Sequence, residues 1–202
     1  MNPLNTVKGA ITTAFVLAVI VSVLLTSMAG GDIGLHGALL GRWLHIISGV
    51  MWIGLLYYFN VVQTPGLAAA GADKGGPGGA GVTKYIAPRA LLWFRWAAVA
   101  TWVTGAIYLL FGYGSAAALH KAFALQEGFR TIGVGAWLGT VMLVNVWVFI
   151  WPNQKKILGI VAATDEQKAA ARKTAGLASR INFALSVPML LCMGGQSHGL
   201  PF

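Results

Sequence analysis

The chain has 202 residues, 57% of them hydrophobic and only 9% charged, where a soluble domain carries about 25% charged residues. That balance excludes a water-soluble enzyme and points to an integral membrane protein. The formal net charge of +9 then concerns topology and contact with anionic lipid, and no nucleic-acid partner is expected. One cysteine, Cys192, excludes an intrachain disulfide and argues against a cysteine-based zinc site.

The first apolar span runs from about 9 to 29. Its apolar run is too long for a typical signal-peptide core, so it reads as a retained transmembrane helix. The second span, about 41–62, contains RWLHIISGVMWIGLLYYFN, from Arg42 to Asn60. Arg42, His45, Gly49, Trp52 and Leu56 recur at spacings of three and four, so they share one stripe of a helix. An ionisable residue inside a span is expensive and is a functional candidate by default. Such a stripe would suit a haem, with iron on His45, a propionate on Arg42 and the macrocycle against Gly49. The competing reading is a histidine hydrogen-bonded to a neighbouring helix or placed at the headgroup level.

A Gly/Ala-rich loop follows, flexible around residues 69–82. It has neither the GK[ST] ending nor the following soluble helix that a phosphate-binding loop needs. The third span, about 90–112, carries Arg95 near its start. Residues 115–127 form a candidate short interfacial helix. The fourth span, about 131–151, ends at Trp151-Pro152; the basic segment after it is expected to extend the helix with a break near Thr164-Asp165, and the fifth span follows at about 181–197, which contains Pro188.

Charge sets the expected orientation. With the N-terminus inside, the cytoplasmic side holds Lys8, Lys74, Lys84, Arg89, Lys155, Lys156, Lys168, Arg172, Lys173 and Arg180. The outer side holds Arg42, Lys121 and Arg130, which satisfies the positive-inside rule. The expected fold is an all-α integral membrane protein in one membrane domain. It is a bundle of about five transmembrane helices, N-terminus in and C-terminus out. His36, His45, His120 and His198 then all fall near the outer face, where imidazoles from two helices could ligate one haem iron. Zinc or copper on the same histidines is the other metal reading. Asn60, Arg95, Asn145 and Asn182 gather toward the inner half. They form either interhelical hydrogen-bond glue or a polar pocket for a substrate or a proton path.

Several stretches resemble one family, the membrane-bound urate hydroxylases with a urate oxidase N-terminal membrane domain. RWLHIISGVMWIGLLYYF resembles that family's first histidine-bearing helix, and KYIAPRALLWFRWAAVATWVTG its next helix. LGTVMLVNVWVFIWPNQKKI and LSVPMLLCMGGQSHGLP resemble the GT(I/V)M…N…PNQ segment and the closing segment, in family order. The resemblance implies a haem-associated membrane domain, oxidation of urate, and electrons leaving through a periplasmic cytochrome c. His45 and His198 match family histidines, and Arg42, Trp52, Asn145, Pro152, Asn153 and Gln154 match other motif positions. Gly133 and Ile181 stand where the family usually has histidines, and Ala97 where it has an acid. No CxxCH is present, so a shortened form without the cytochrome c domain is expected.

The resulting expectation is a multi-pass protein of the bacterial inner membrane. It would bind haem b near the periplasmic face, through His45 with His198 or His120 opposite. It would pass electrons to a periplasmic cytochrome c. The alternatives are a structural or assembly subunit of a larger membrane complex, or a genuine urate-oxidising enzyme with Arg95 pairing the urate anion.

Overall fold

The structure is a computed structural model and describes residues 2–201. It is all-helical among the described residues. Six helices account for it: α1 (Val7–Met28), α2 (Gly37–Ala72), α3 (Val82–Phe111), α4 (Ala117–Phe123), α5 (Arg130–Ile157) and α6 (Asp165–His198). All but α4 are long and apolar enough to cross a membrane.

The chain divides into two compact units, residues 1–36 and 37–202. In the first, the Thr6 side chain accepts a hydrogen bond from the Gly9 N–H at 3.0 Å and caps α1. No residue of α1 is buried by the protein itself; its 22 residues are long and apolar enough to cross a membrane.

In the second unit, α2 packs along α3 and α5 along α6 as two close hairpins, and contact between the hairpins is lighter. All four helices alternate in direction. Gly41 meets Tyr108 while Phe59 stacks edge-on against Phe94, so α2 and α3 are antiparallel. Ile132 bonds Gln196 while Asn145 bonds Ala178, so α5 and α6 are too.

Proline shapes three of these helices. Tyr58–Gln63, Val82–Ile86 and Val146–Ile150 are π-helical, and each lies just ahead of a proline: Pro65, Pro88 and Pro152. Proline has no N–H to donate, and its ring crowds the carbonyl four residues back. Widening the preceding turn relieves that clash without ending the helix. The helix of the fourth span therefore runs through Pro152 to Ile157, the helical extension expected of the basic segment, and the break ends where the next helix starts at Asp165. Likewise α2 runs to Ala72, so the Gly-rich connection begins only at Asp73. The fifth span is the distal part of a longer helix, started at Thr164 by a capping box with Gln167.

The bundle is solid at one end and hollow at the other. Trp52, Leu56, Phe94, Met142, Val146 and Met189 belong to one packed core. Toward the His45 end the four helices present glycines instead: Gly49 and Gly54 on α2, Gly105 on α3, Gly139 on α5 and Gly194 on α6. Nothing lies within 4 Å of where a Cβ would stand on Gly54, Gly139 or Gly194. Glycines on all four helices thus leave parts of the cavity wall without side chains.

Candidate functional site

The cavity has a volume of about 920 Å³ and is walled by α2, α3, α5 and α6, with Phe123 of α4 also at its edge. This lies at the upper end of the roughly 300–1,000 Å³ typical of ligand pockets. Most of its wall is apolar. Its polar groups include Arg42 and His45 on α2, Tyr108 on α3, and Ser197 and His198 on α6.

His45 is held in a defined state. Its Nδ1 lies 2.7 Å from the carbonyl oxygen of Thr101. A carbonyl only accepts, so Nδ1 carries the proton and donates, which leaves Nε2 with its lone pair. A hydrogen bond from the other ring nitrogen to a backbone carbonyl is the usual way a ligating imidazole is oriented. The same carbonyl accepts from Thr104 Oγ1 at 3.1 Å. Gly105 makes room for the ring: a Cβ there would stand 2.8 Å from His45 Cε1. Thr101 and Gly105 are one turn apart and so face α2 together. Sequence reasoning met them only in the TWxxG pattern of the family resemblance and gave them no role. The signal was their spacing in TWVTG.

The facing wall brings in His198. Ser186 Oγ donates to the Phe183 carbonyl at 2.7 Å and accepts from the Tyr57 hydroxyl at 3.1 Å, which sets the antiparallel register of α6 against α2. As many residues separate Tyr57 from His45 as separate Ser186 from His198, so both histidines lie at one level of the bundle. Gln196 anchors that end of α6, accepting from the Ile132 N–H and donating to the Gly128 carbonyl, each at 3.0 Å. Arg42, His45, Gly49 and His198 thus line one cavity. Arg42 makes no ion pair among the described residues. His120 is not in the cavity wall: it is exposed on α4, and His36 belongs to the other unit.

Gly133 has a packing reason. A Cβ there would collide with the Ala122 carbonyl, so α4 occupies the space that a larger side chain would need.

The polar residues expected toward the inner half, Asn60, Arg95, Asn145 and Asn182, do not converge on one cavity. Asn145 Nδ2 donates to Asn182 Oδ1 at 2.7 Å and to the Ala178 carbonyl at 2.8 Å. Asn182 Nδ2 donates to the Met142 carbonyl at 3.0 Å. Asn60 Nδ2 donates to Ser179 Oγ at 2.9 Å. These bonds tie α6 to α5 and to α2. Arg95 sits over the Trp151 ring, 3.9 Å from its centroid, in a cation–π contact.

No curated protein and no solved structure matches the chain. One family does, the one described as urate oxidase N-terminal, over residues 35–120 and 115–202. These two matches span the whole of the second unit, both cavity histidines included, and the chain belongs to the urate oxidase N-terminal family.

Proposed function

We propose that this is a membrane redox protein resembling urate hydroxylase, which holds b-type haem in the α2–α6 cavity and passes electrons to a periplasmic cytochrome c. The observation that carries the reading is that His45 and His198 line one large apolar cavity together with Arg42; the 2.7 Å bond to Thr101 meets the competing expectation of a histidine bonded to a neighbouring helix, yet leaves Nε2 over for a ligand. Haem brings four nitrogen donors of its own and needs only one or two from the protein. A bare zinc ion needs three or four protein ligands, and no group of three or more His, Cys, Asp or Glu comes together among the described residues. The residues present therefore fit haem better than an isolated ion.

In this reading His45 would supply the iron ligand, and His198, level with it on α6, the group opposite. Arg42, with no acid paired to it, would take a propionate. The apolar wall excludes water and raises the cost of net charge at the iron. Bound haem would supply one-electron chemistry, while the chain fixes its position and tunes its potential. The chain would cross the bacterial inner membrane five times, N-terminus in and C-terminus out. The support for this is the number of long apolar helices and the excess of lysine and arginine on the inner loops. The cavity then lies toward the periplasmic side, within reach of a soluble electron carrier.

The family match favours a second reading, oxidation of urate itself. Arg95 is engaged with Trp151, so Arg42 is the cation placed to meet a planar anion in the cavity.

Absorption spectra of purified protein, oxidised and reduced, test the first reading. A Soret band is expected in the wild type and its loss in His45→Ala. A wild type without haem overturns the reading, and a full band in both His45→Ala and His198→Ala overturns the ligand assignment. Urate turnover with added cytochrome c separates the two readings.

A further inference from the structure

The solid end of the bundle carries cations that no acid neutralises. The Arg95 guanidinium of α3 lies 3.9 Å from the centre of the Trp151 ring of α5, and Lys155 Nζ stands 5.9 Å from the centre of the same ring. Both cations are half-buried. Neither makes an ion pair among the described residues, where the salt bridge present joins Lys168 to Asp165. Stacking occupies the flat face of a guanidinium and leaves its in-plane N–H groups to donate elsewhere. Arg95 gives none of them to a protein acceptor among the described residues. An arginine that merely reached for water would need no such platform. The indole holds this one in place with its donors unused.

The order of groups along the α3–α5 seam says what fits there. Lys155 lies in the last turn of α5, one turn beyond Trp151. A helical side chain tilts toward its own N-terminus, so Arg95 reaches toward the end where α3 begins and α5 finishes. One turn back from Trp151, Trp147 meets Trp96 edge-on, with ring centroids 5.5 Å apart. Trp96 is 54% exposed and takes no part in the cavity wall. From the end of the apolar span inward, the seam therefore presents a cation, a second cation over an indole, and then apolar aromatic surface. A phospholipid presents its phosphate and then its chains in that order. The absence of an acid beside the cations decides the headgroup. A zwitterionic lipid would bring an ammonium up to two positive charges, whereas an anionic one brings none.

We propose that the α3–α5 seam at the solid end of the bundle binds an anionic phospholipid, with its phosphate held between Arg95 and Lys155 and its chains lying on Trp96. The site needs the chain to cross a membrane and needs no haem. With the N-terminus inside, it faces the cytoplasmic leaflet, where anionic lipid is concentrated.

The test uses the full chain, delipidated in dodecyl maltoside and titrated with dioleoylphosphatidylglycerol or dioleoylphosphatidylcholine, while native mass spectrometry counts bound lipid. The wild type is expected to prefer the first, by about fivefold for each cation that meets the phosphate. Arg95→Gln combined with Lys155→Gln is expected to remove the preference. Lys155→Gln alone, which leaves the Arg95–Trp151 contact in place, is expected to lose about fivefold. It decides the matter even where the double variant folds poorly. Lys74→Gln combined with Lys173→Gln takes the same charge from exposed positions at the same end of the bundle and is expected to keep the preference. Equal binding of the two lipids by the wild type overturns the proposal, and so does an undiminished preference in Lys155→Gln. An equal loss in the Lys74 and Lys173 variant overturns it too, since diffuse charge would then account for binding. Displacement of bound phosphatidylglycerol by millimolar inorganic phosphate would mark a site for a free anion instead.

Discussion

Gly105 and His45 occupy the same space: a Cβ on Gly105 would stand 2.8 Å from His45 Cε1 and 2.9 Å from Nδ1. Real Cβ atoms do not approach ring atoms that closely, so any side chain at 105 moves the imidazole off the Thr101 carbonyl. Gly105→Val is expected to lower haem content about tenfold or more, since displacing a ligand by even an ångström forfeits its geometry. Gly139→Ala, where the Cβ meets nothing within 4 Å, is expected to keep haem. The ratio of Soret to protein absorbance in the two variants checks this. Helical circular dichroism shows that both fold.

Of the histidines expected near the outer face, His120 stands apart. It is exposed on α4, while the buried face of that helix is formed by Ala118 and Ala122. His120→Ala is therefore expected to leave the reduced absorption spectrum unchanged, in the same preparation in which His45→Ala loses it. An altered spectrum in His120→Ala would show that α4 folds over the cavity when a ligand is bound.

The stripe on α2 was legible in the sequence because a helix repeats every 3.6 residues, so Arg42, His45 and Gly49 fall together whatever surrounds them. The partner of His45 was not. A backbone carbonyl carries no side-chain signature, and which carbonyl is met depends on the antiparallel register of α2 and α3. Asn145 and Asn182 were recognisable as polar residues in apolar helices. That they bond each other depends on how α6 rotates against α5. Widened turns ahead of Pro65 and Pro152 let both helices continue: the extension beyond Pro152 was legible in the basic segment, while residues 69–72, expected as flexible, are the end of α2. His120 was placed on the correct connecting segment, but the face of α4 that turns inward is decided by Gly133, which packs against the Ala122 carbonyl.

The buried Asn145–Asn182 pair permits a double-mutant cycle. Asn182 is fully buried, and both side chains bond across α5 and α6. Removing either partner strands the other's polar groups. Asn145→Leu and Asn182→Leu are each expected to cost about 1–2 kcal/mol. The double variant is expected to cost clearly less than the sum, because both stranded amides are then gone. Reversible unfolding in mixed detergent micelles measures all three. An additive result would mean that the pair holds no energy of its own.

The widened turn Val146–Ile150 ahead of Pro152 sets the rotation of everything beyond it. One residue amounts to about 100° around a helix, so restoring an ordinary turn would swing Trp151 away from Arg95. Pro152→Ala removes the ring that makes the widened turn favourable. In the wild type, Arg95→Leu is expected to cost about 0.5–1 kcal/mol through loss of the contact at 3.9 Å. In the Pro152→Ala background the same substitution is expected to cost nothing, because the contact is already broken. Thermal unfolding of the four proteins gives the coupling directly. An undiminished cost in the Pro152→Ala background would show that packing of α5 against α3 and α6, and not the proline, holds the turn open.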